Sequence, residues 1–205
     1  MLTYKNVTLQ QEDQVLFENL SFKALKGEKL IITGPSGSGK SSLLESFLGF
    51  VIPVAGKIII DGTELTPESI YSIRQKIGYV PQEIPFRFEK VREGIEMVVG
   101  FKANQMPAYH NKLLELMEKS GLEERLLDRT FDEISGGQKQ RISILIPLLL
   151  GRKILLIDEP TSALDKESQK QVADLLFTDP ELTILSTTHD DHWASYFDKS
   201  IAIPS

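Results

Sequence analysis

The stretch GPSGSGKS, Gly34 to Ser41, decides how the rest of the chain is read. It lies between an apolar run, KLIIT (Lys29 to Thr33), and an apolar helical pattern, and it satisfies G-x-x-x-x-G-K-[ST] in the strand–loop–helix setting that pattern requires. Gly34, Gly37 and Gly39 free the backbone to curl, so that successive N–H groups point inward at a phosphate. Lys40 adds positive charge near the β and γ phosphates, and Ser41 supplies a hydroxyl for Mg2+. A glycine-rich turn that matched by accident would not bring the lysine, the hydroxyl and both flanking elements with it. The whole segment Gly34, Pro35, Ser36, Gly37, Ser38, Gly39, Lys40, Ser41 and Ser42 is therefore expected to hold the phosphates of a nucleotide.

KILLIDEP, Lys153 to Pro160, complements that chemistry. Its apolar residues bury a strand, and Asp158 emerges at the C-terminal end, where open α/β sheets place their ligands. Asp158 is expected to hold the magnesium, directly or through water. Glu159, free of that duty, is placed to polarise an attacking water. Alone, the pair could equally begin a surface turn ahead of Pro160; beside a phosphate loop the catalytic reading prevails. A third stretch, ISGGQKQR (Ile134 to Arg141), puts two glycines behind a serine at the opening of a polar helix, an arrangement that offers backbone N–H groups to an anion. Serine is also a good N-cap. A cap alone does not explain Gly136 and Gly137 inside the first turn, where each costs up to about 1 kcal/mol relative to alanine. One chain thus carries two anion sites far apart in sequence.

At 205 residues the chain can bury one sizeable core, or one core with a subdomain attached. Apolar content of 41% with 25% charged residues is ordinary for a folded protein and argues against a disordered chain. The formal charge of −6 argues against nucleic-acid binding by bulk electrostatics. With no cysteine, disulfides and thiolate metal sites are excluded. The start, MLTYKNVTLQQED, lacks the basic-then-apolar order of a signal peptide. The longest oily run, ISILIPLLL (Ile142 to Leu150), is far short of the roughly 20 residues that span a bilayer. Any link to a membrane is expected to come through a partner.

Strand patterns occupy Leu2 to Thr8, Phe22 to Ala24, Lys29 to Thr33, Lys57 to Gly62 with a closing Asp-Gly turn, and Lys76 to Val80. From about Glu83 to Leu150 the texture turns helical, with Gly121 as a C-terminal stop. Strands return at Lys153 to Asp158, Leu182 to Thr187 and Ser200 to Ile203, separated by helical patterns at Lys166 to Phe177 and around His192 to Phe197. Unalternating apolar strands punctuated by helices predict a sheet buried on both faces. Residues 1–82 and 151–205 read as one catalytic core, and about 83–150 as an inserted helical subdomain.

Taken in order, these motifs resemble the ATP-binding cassette (ABC) family, and within it the nucleotide-binding subunit of an ABC transporter. GPSGSGKSS is similar to Walker A, ILLIDEP to Walker B and ISGGQ to the LSGGQ signature; SALD (Ser162 to Asp165) resembles the D-loop. Gln82 in YVPQ stands where the Q-loop glutamine belongs, and His189 in STTHD where the switch histidine does. The resemblance, which covers nearly the whole chain, implies an α/β P-loop NTPase core, mainly a parallel sheet with N-terminal antiparallel strands, carrying an inserted α-helical subdomain. It implies ATP hydrolysis with Mg2+, and a head-to-tail dimer in which Ser135, Gly136, Gly137 and Gln138 of one subunit cap ATP held by the Walker A loop of the other. That arrangement accounts for two anion sites in one chain, since a two-fold dimer repeats one patch twice and completes both. Asp165 of the D-loop joins the nucleotide-binding set. Gln82 would sense the γ-phosphate and share Mg2+ with Ser41 and Asp158; His189 would contact the γ-phosphate; Glu159 would assist the water.

The partners implied are a second ABC ATPase subunit, with a homodimer first in order, and an integral-membrane permease on the cytoplasmic face of the inner or plasma membrane, with no nucleic acid. A soluble cassette ATPase acting on nucleic acid or ribosomes is the alternative that the single cassette and acidic balance oppose. A non-hydrolysing regulatory subunit is opposed by intact Lys40, Asp158, Glu159 and His189.

The chain departs from the family pattern at four places. Gln11 stands where an aromatic normally stacks on adenine, a contact worth on the order of 1–3 kcal/mol, so weak adenine discrimination is expected. Ile146 and Pro147 replace an Arg-Ala pair after the signature, and Pro147 is expected to kink or end that helix, at roughly 3 kcal/mol if it were left interior. Gly94 replaces a common asparagine, and Ile134 the signature leucine. Phe86 and Phe88, flanking Arg87, read either as a groove for a permease helix or as subdomain core. His192, without a third ligand nearby, is expected on a helix surface.

Overall fold

The computed structural model describes residues 1–12, 14–83 and 89–203; Phe86, Arg87 and Phe88 lie outside them. In chain order the elements are β1 (Leu2–Gln11), β2 (Gln14–Ala24), β3 (Lys29–Thr33), α1 (Lys40–Ser46), β4 (Ala55–Ile60), β5 (Thr63–Glu64), α2 (Ile70–Arg74) and β6 (Ile77–Val80). There follow α3 (Val91–Gly100), α4 (His110–Lys119), a 3-10 turn (Glu124–Asp128) and α5 (Gly136–Leu149). The chain then returns through β7 (Ile154–Asp158), α6 (Lys166–Phe177), β8 (Thr183–Thr187), α7 (Asp191–Ala194) and β9 (Lys199–Ala202).

The parallel sheet runs β6-β7-β8-β3-β9. Successive side chains on a strand face opposite ways. Leu30, Ile32, Ile154, Leu156 and Leu185 accordingly join one apolar cluster, while Ile31, Leu155, Ile157 and Ile184 join another. This two-sided burial is why the strands read as unbroken apolar runs. One face is covered by α1 and by the antiparallel sheet β2-β1-β4-β5, with Tyr4 stacked on Phe22 at 5.1 Å and its hydroxyl 2.9 Å from Ser46 Oγ. The other is covered by α6 and α7, where Trp193 is fully buried against Phe177 and Phe197. The helical stretch has a cluster of its own, from Val91 and Ile95 on α3 through Met117 on α4 to Leu145 on α5.

Two sequence expectations are corrected. β2 runs from Gln14 to Ala24, well beyond the Phe22–Ala24 indicated; it is the edge strand of its sheet and exposes much of its surface, so its polar residues hide it. Pro147 does not end its helix, for α5 continues to Leu149. The reason is position. Gly151 at φ +70° closes α5 with bonds from Arg152 N–H to Pro147 O and from Gly151 N–H to Leu148 O, a Schellman end that places Pro147 in the last turn. The missing N–H therefore forfeits a single bond, to Ser143. The ring packs on β6, where a Cβ added at Gly78 would meet Pro147 Cβ at 2.3 Å.

Gly121 stops α4 as expected, by the same motif: φ is +66°, Gly121 N–H reaches Glu118 O, and Leu122 N–H reaches Met117 O. Asp61 and Gly62, both at positive φ, make the two-residue turn between β4 and β5. Replacing Trp193 by alanine is expected to cost about 3–5 kcal/mol, because it empties the block that fixes α7 behind the sheet. Urea unfolding of Trp193→Ala measures this; a loss below about 1 kcal/mol would refute the assignment.

Candidate active site

The phosphate loop follows β3 at the C-terminal edge of the parallel sheet, as the sequence requires. Gly37 and Gly39 take φ of +77° and +90°, a region that only glycine enters freely. Nothing lies within 4 Å of where a Gly37 side chain would begin, so the loop borders open space. A Gly39 side chain would press on Leu16 of β2 at 3.0 Å. Lys40 is 6% exposed, and its Nζ donates to the carbonyls of Gly34 (3.0 Å) and Pro35 (2.9 Å), which holds the charge inside the loop.

Facing the loop is a cleft of about 400 Å3 lined by Gln11, Leu16, Ser36, Gly37, Gly39, Lys40, Ser41, Ser42, Gln82, Glu159 and His189. Three residues predicted separately meet there. Gln82 Nε2 donates to Glu159 Oε2 at 3.1 Å, and His189 Nε2 lies 3.0 Å from Glu159 Oε1. Glu159 has φ +45°, left-handed backbone for a side-chain-bearing residue that also precedes proline. Such geometry costs about 1–3 kcal/mol and has to be held by its surroundings. Part of that hold is Thr187, which sequence reasoning missed. Its Oγ1 accepts from Glu159 N–H (3.1 Å) and donates to Asp158 Oδ1 (2.5 Å). A hydroxyl ending an otherwise apolar strand was the available signal.

Asp158 lies behind the cleft, 4% exposed. Its charge is felt by two neighbours. Burial first and then Asp158 push the Glu45 carboxyl above its usual range, and burial, Asp158 and Glu45 together push the Tyr79 hydroxyl up. A buried Asp158 carboxylate that makes no ion pair among the described residues, together with the Ser41 hydroxyl and the Gln82 amide oxygen on the cleft wall, offers oxygen donors of the kind that magnesium takes. Magnesium takes few protein ligands when phosphates supply the rest.

Ser135, Gly136, Gly137 and Gln138 open α5 and line none of this cleft. Ser135 Oγ accepts from Gln138 N–H (3.2 Å) and Gln138 Oε1 accepts from Ser135 N–H (2.9 Å), a reciprocal cap. The N–H groups of Gly136 and Gly137 find no acceptor among the described residues. The glycine pair also has an internal cause: a Gly137 Cβ would lie 2.9 Å from Ala163 O, and a Gly136 Cβ 3.3 Å from Ala163 Cβ. Asp165, two residues on, caps α6 by accepting from Ser168 N–H at 2.8 Å.

Gln11 stands at the end of β1, with Oε1 3.5 Å from Ser42 Oγ. Gly94 is buried on α3 and, with Pro147, lines an apolar cavity of about 290 Å3 between α3, α5 and β6. His192 is exposed on α7.

A phosphate loop heading a two-sided parallel sheet, with a carboxylate held between a glutamine and a histidine, defines a P-loop ATPase. A family model described as ABC transporter matches residues 17–162. The ergothioneine transport ATP-binding protein EgtV of Helicobacter pylori (strain G27) is 31% identical over 198 residues, 95% of this chain and 92% of its own length. The probable iron export ATP-binding protein FetA of Escherichia coli (strain K12) is 30% identical, with 99% and 91% covered. Among solved structures, the dimeric bacterial ABC transporter cassette MJ0796 superposes at TM-score 0.87 with 29% identity, covering 99% of this chain and 94% of that one. The same cassette in a dimeric post-hydrolysis state with ADP and Pi gives 0.86. The chain belongs to the ABC transporter family. It is an ATP-binding, ATP-hydrolysing subunit of such a transporter, and no helix among its described residues is long and apolar enough to cross a membrane.

Proposed function

We propose that two copies of this chain close head to tail over two ATP molecules, on the cytoplasmic face of a membrane and bound to a permease. The observation that carries the reading is a division of labour: the cleft gathers Lys40, Ser41, Gln82, Glu159 and His189, whereas Ser135 to Gln138 open outward elsewhere with two N–H groups that have no acceptor among the described residues. A second copy would bring that turn, with the positive end of its helix, to the γ-phosphate. Lys40 would exchange its loop carbonyls for phosphate oxygens. Ser41, Asp158 and Gln82 would hold magnesium, which when bound offsets charge on the β and γ phosphates. Glu159 would draw a proton from the attacking water, with Gln82 and His189 fixing its carboxylate.

The base would rest on Leu16 and Gln11 in place of an aromatic ring. The apolar cavity bordered by Pro81, Gly94, Val98, Phe101, Ile146 and Pro147 would receive a cytoplasmic helix of the permease. Phosphate release from the purified chain tests the site: it is expected to require magnesium, to stop with a chelator, and to be inhibited by GTP at no more than about tenfold higher concentration than unlabelled ATP. Turnover unaffected by the chelator would remove magnesium from the reading, and a hundredfold preference for ATP would remove the role given to Gln11. Stimulation in vesicles that also hold the multi-span protein of a neighbouring reading frame tests the permease.

A further inference from the structure

Gln169 lies in the first turn of α6 and is 6% exposed. Its Nε2 donates to two acceptors at once, Asp190 Oδ2 at 2.9 Å and the carbonyl of Leu164 at 3.4 Å. Leu164 belongs to the Ser162–Asp165 loop at the foot of the signature helix, and Asp190 directly follows His189. One amide therefore ties together two loops that are distant in sequence.

Its orientation is forced, because both partners are acceptors and a turned amide would set Oε1 against a carboxylate and a carbonyl. The consequence is visible in the buried Oε1, which has no partner among the described residues. Leaving a buried acceptor unpaired is costly, and a methionine would fill similar space without that cost. Packing alone thus does not explain a glutamine here.

Asp190 transmits what Gln169 holds. Its Oδ1 accepts from His192 N–H (2.8 Å) and Trp193 N–H (3.4 Å), and its own N–H donates to Thr188 Oγ1 (3.0 Å). Burial alone would push the Asp190 carboxyl up; the N–H groups of His192 and Trp193, then Gln169, hold it below the usual carboxylate range. The Gln169 bond is therefore made to an anion, which strengthens it. Trp193 is fully buried, so this carboxylate stands on a rigid footing one residue from the histidine that meets Glu159.

We propose that Gln169 is a positioning residue for hydrolysis, which couples the placement of the Leu164 loop to that of His189 through Asp190. The inference rests on the role given above to His189. In a closed dimer the Ser162–Asp165 loop would lie at the seam, and Gln169 would let His189 register that closure.

Gln169→Met keeps length and packing and removes both donors, while Gln169→Arg restores N–H groups to the same two acceptors. Gln169→Met is expected to lower kcat on the order of tenfold, with KM for ATP and Tm close to wild type, and Gln169→Arg to recover most of the loss. Asp190→Asn is expected to lower kcat similarly, with no further fall in the double variant, since both changes break one link. Wild-type turnover by Gln169→Met, additive losses in the double variant, or a Gln169→Arg as slow as Gln169→Met would each overturn the proposal. If Gln169→Met fails to fold, Gln169→Arg against Asp190→Asn decides: the first must be fast and the second slow. His189→Ala is measured alongside. If it turns over normally, the role of His189 fails and the proposal with it; if it is slow while Gln169→Met is fast, only the proposal fails.

Discussion

Glu159→Gln is expected to slow ATP turnover by about 10²–10⁴-fold and to leave ATP binding intact. The geometry makes this substitution unusually informative. Glu159 meets one nitrogen from Gln82 and one from His189, one on each carboxylate oxygen. A glutamine in the same place keeps an oxygen for Gln82 and turns its NH2 toward His189, whose Nε2 can accept when the ring proton sits on Nδ1. The shape of the site survives while its basicity is removed. Nucleotide then stays uncleaved between two copies, and gel filtration with ATP and magnesium should show a dimer that disperses when nucleotide is withdrawn. Thermal unfolding should rise on ATP addition as binding to the folded state adds about 2.7 kcal/mol at a hundredfold excess over Kd. Equal phosphate release by the variant and the wild type would take Glu159 out of the chemistry.

The second large effect comes from mixing two inactive variants. Lys40→Ala removes the charge held within the phosphate loop, and Ser135→Arg sets a long cation where the signature turn would meet a partner's phosphate. Each homodimer then lacks both complete sites, and each variant alone is expected to retain under about 1% of wild-type turnover. A mixed dimer has one site ruined twice and the other left whole, because the intact lysine and the intact serine come from different chains. With free exchange of subunits about half the dimers are mixed, and about a quarter of wild-type turnover should return if one whole site can work alone. A site completed within a single chain predicts no recovery at all. Ser135→Arg with undiminished turnover on its own would refute the proposed seam, whatever the mixture does.

How far the sequence reached follows a physical divide. Gly34 to Ser42 and Asp158 to Pro160 were legible because their chemistry is local: glycine conformations, a lysine and a strand-end carboxylate act over a few residues. The parallel core was legible for a similar reason, as burial on both faces leaves an unmistakable apolar run in β7. Long-range adjacency was not. Pairing of β3 with β8 and β9, rather than with β7, is a property of the assembled sheet. Thr187 and Leu16 carry no motif and owe their place to strands that the fold brings beside the loop. Gly136 and Gly137 were read from the sequence as an anion turn, whereas the pressure of Ala163 against them needed the tertiary structure. Pro147 misled because the rule for proline concerns helix interiors, and a glycine four residues later ends the helix almost at once.

That proline has a counterpart, and the two are bound to a common fate. A single methyl group on Gly78 would collide with the pyrrolidine ring and with Leu155 at 2.8 Å, in a strand that leads within four residues to Gln82. Natural variants of this chain should therefore change the two positions jointly or not at all: wherever a bulkier residue displaces the glycine, a slimmer or displaced one must stand in place of the proline.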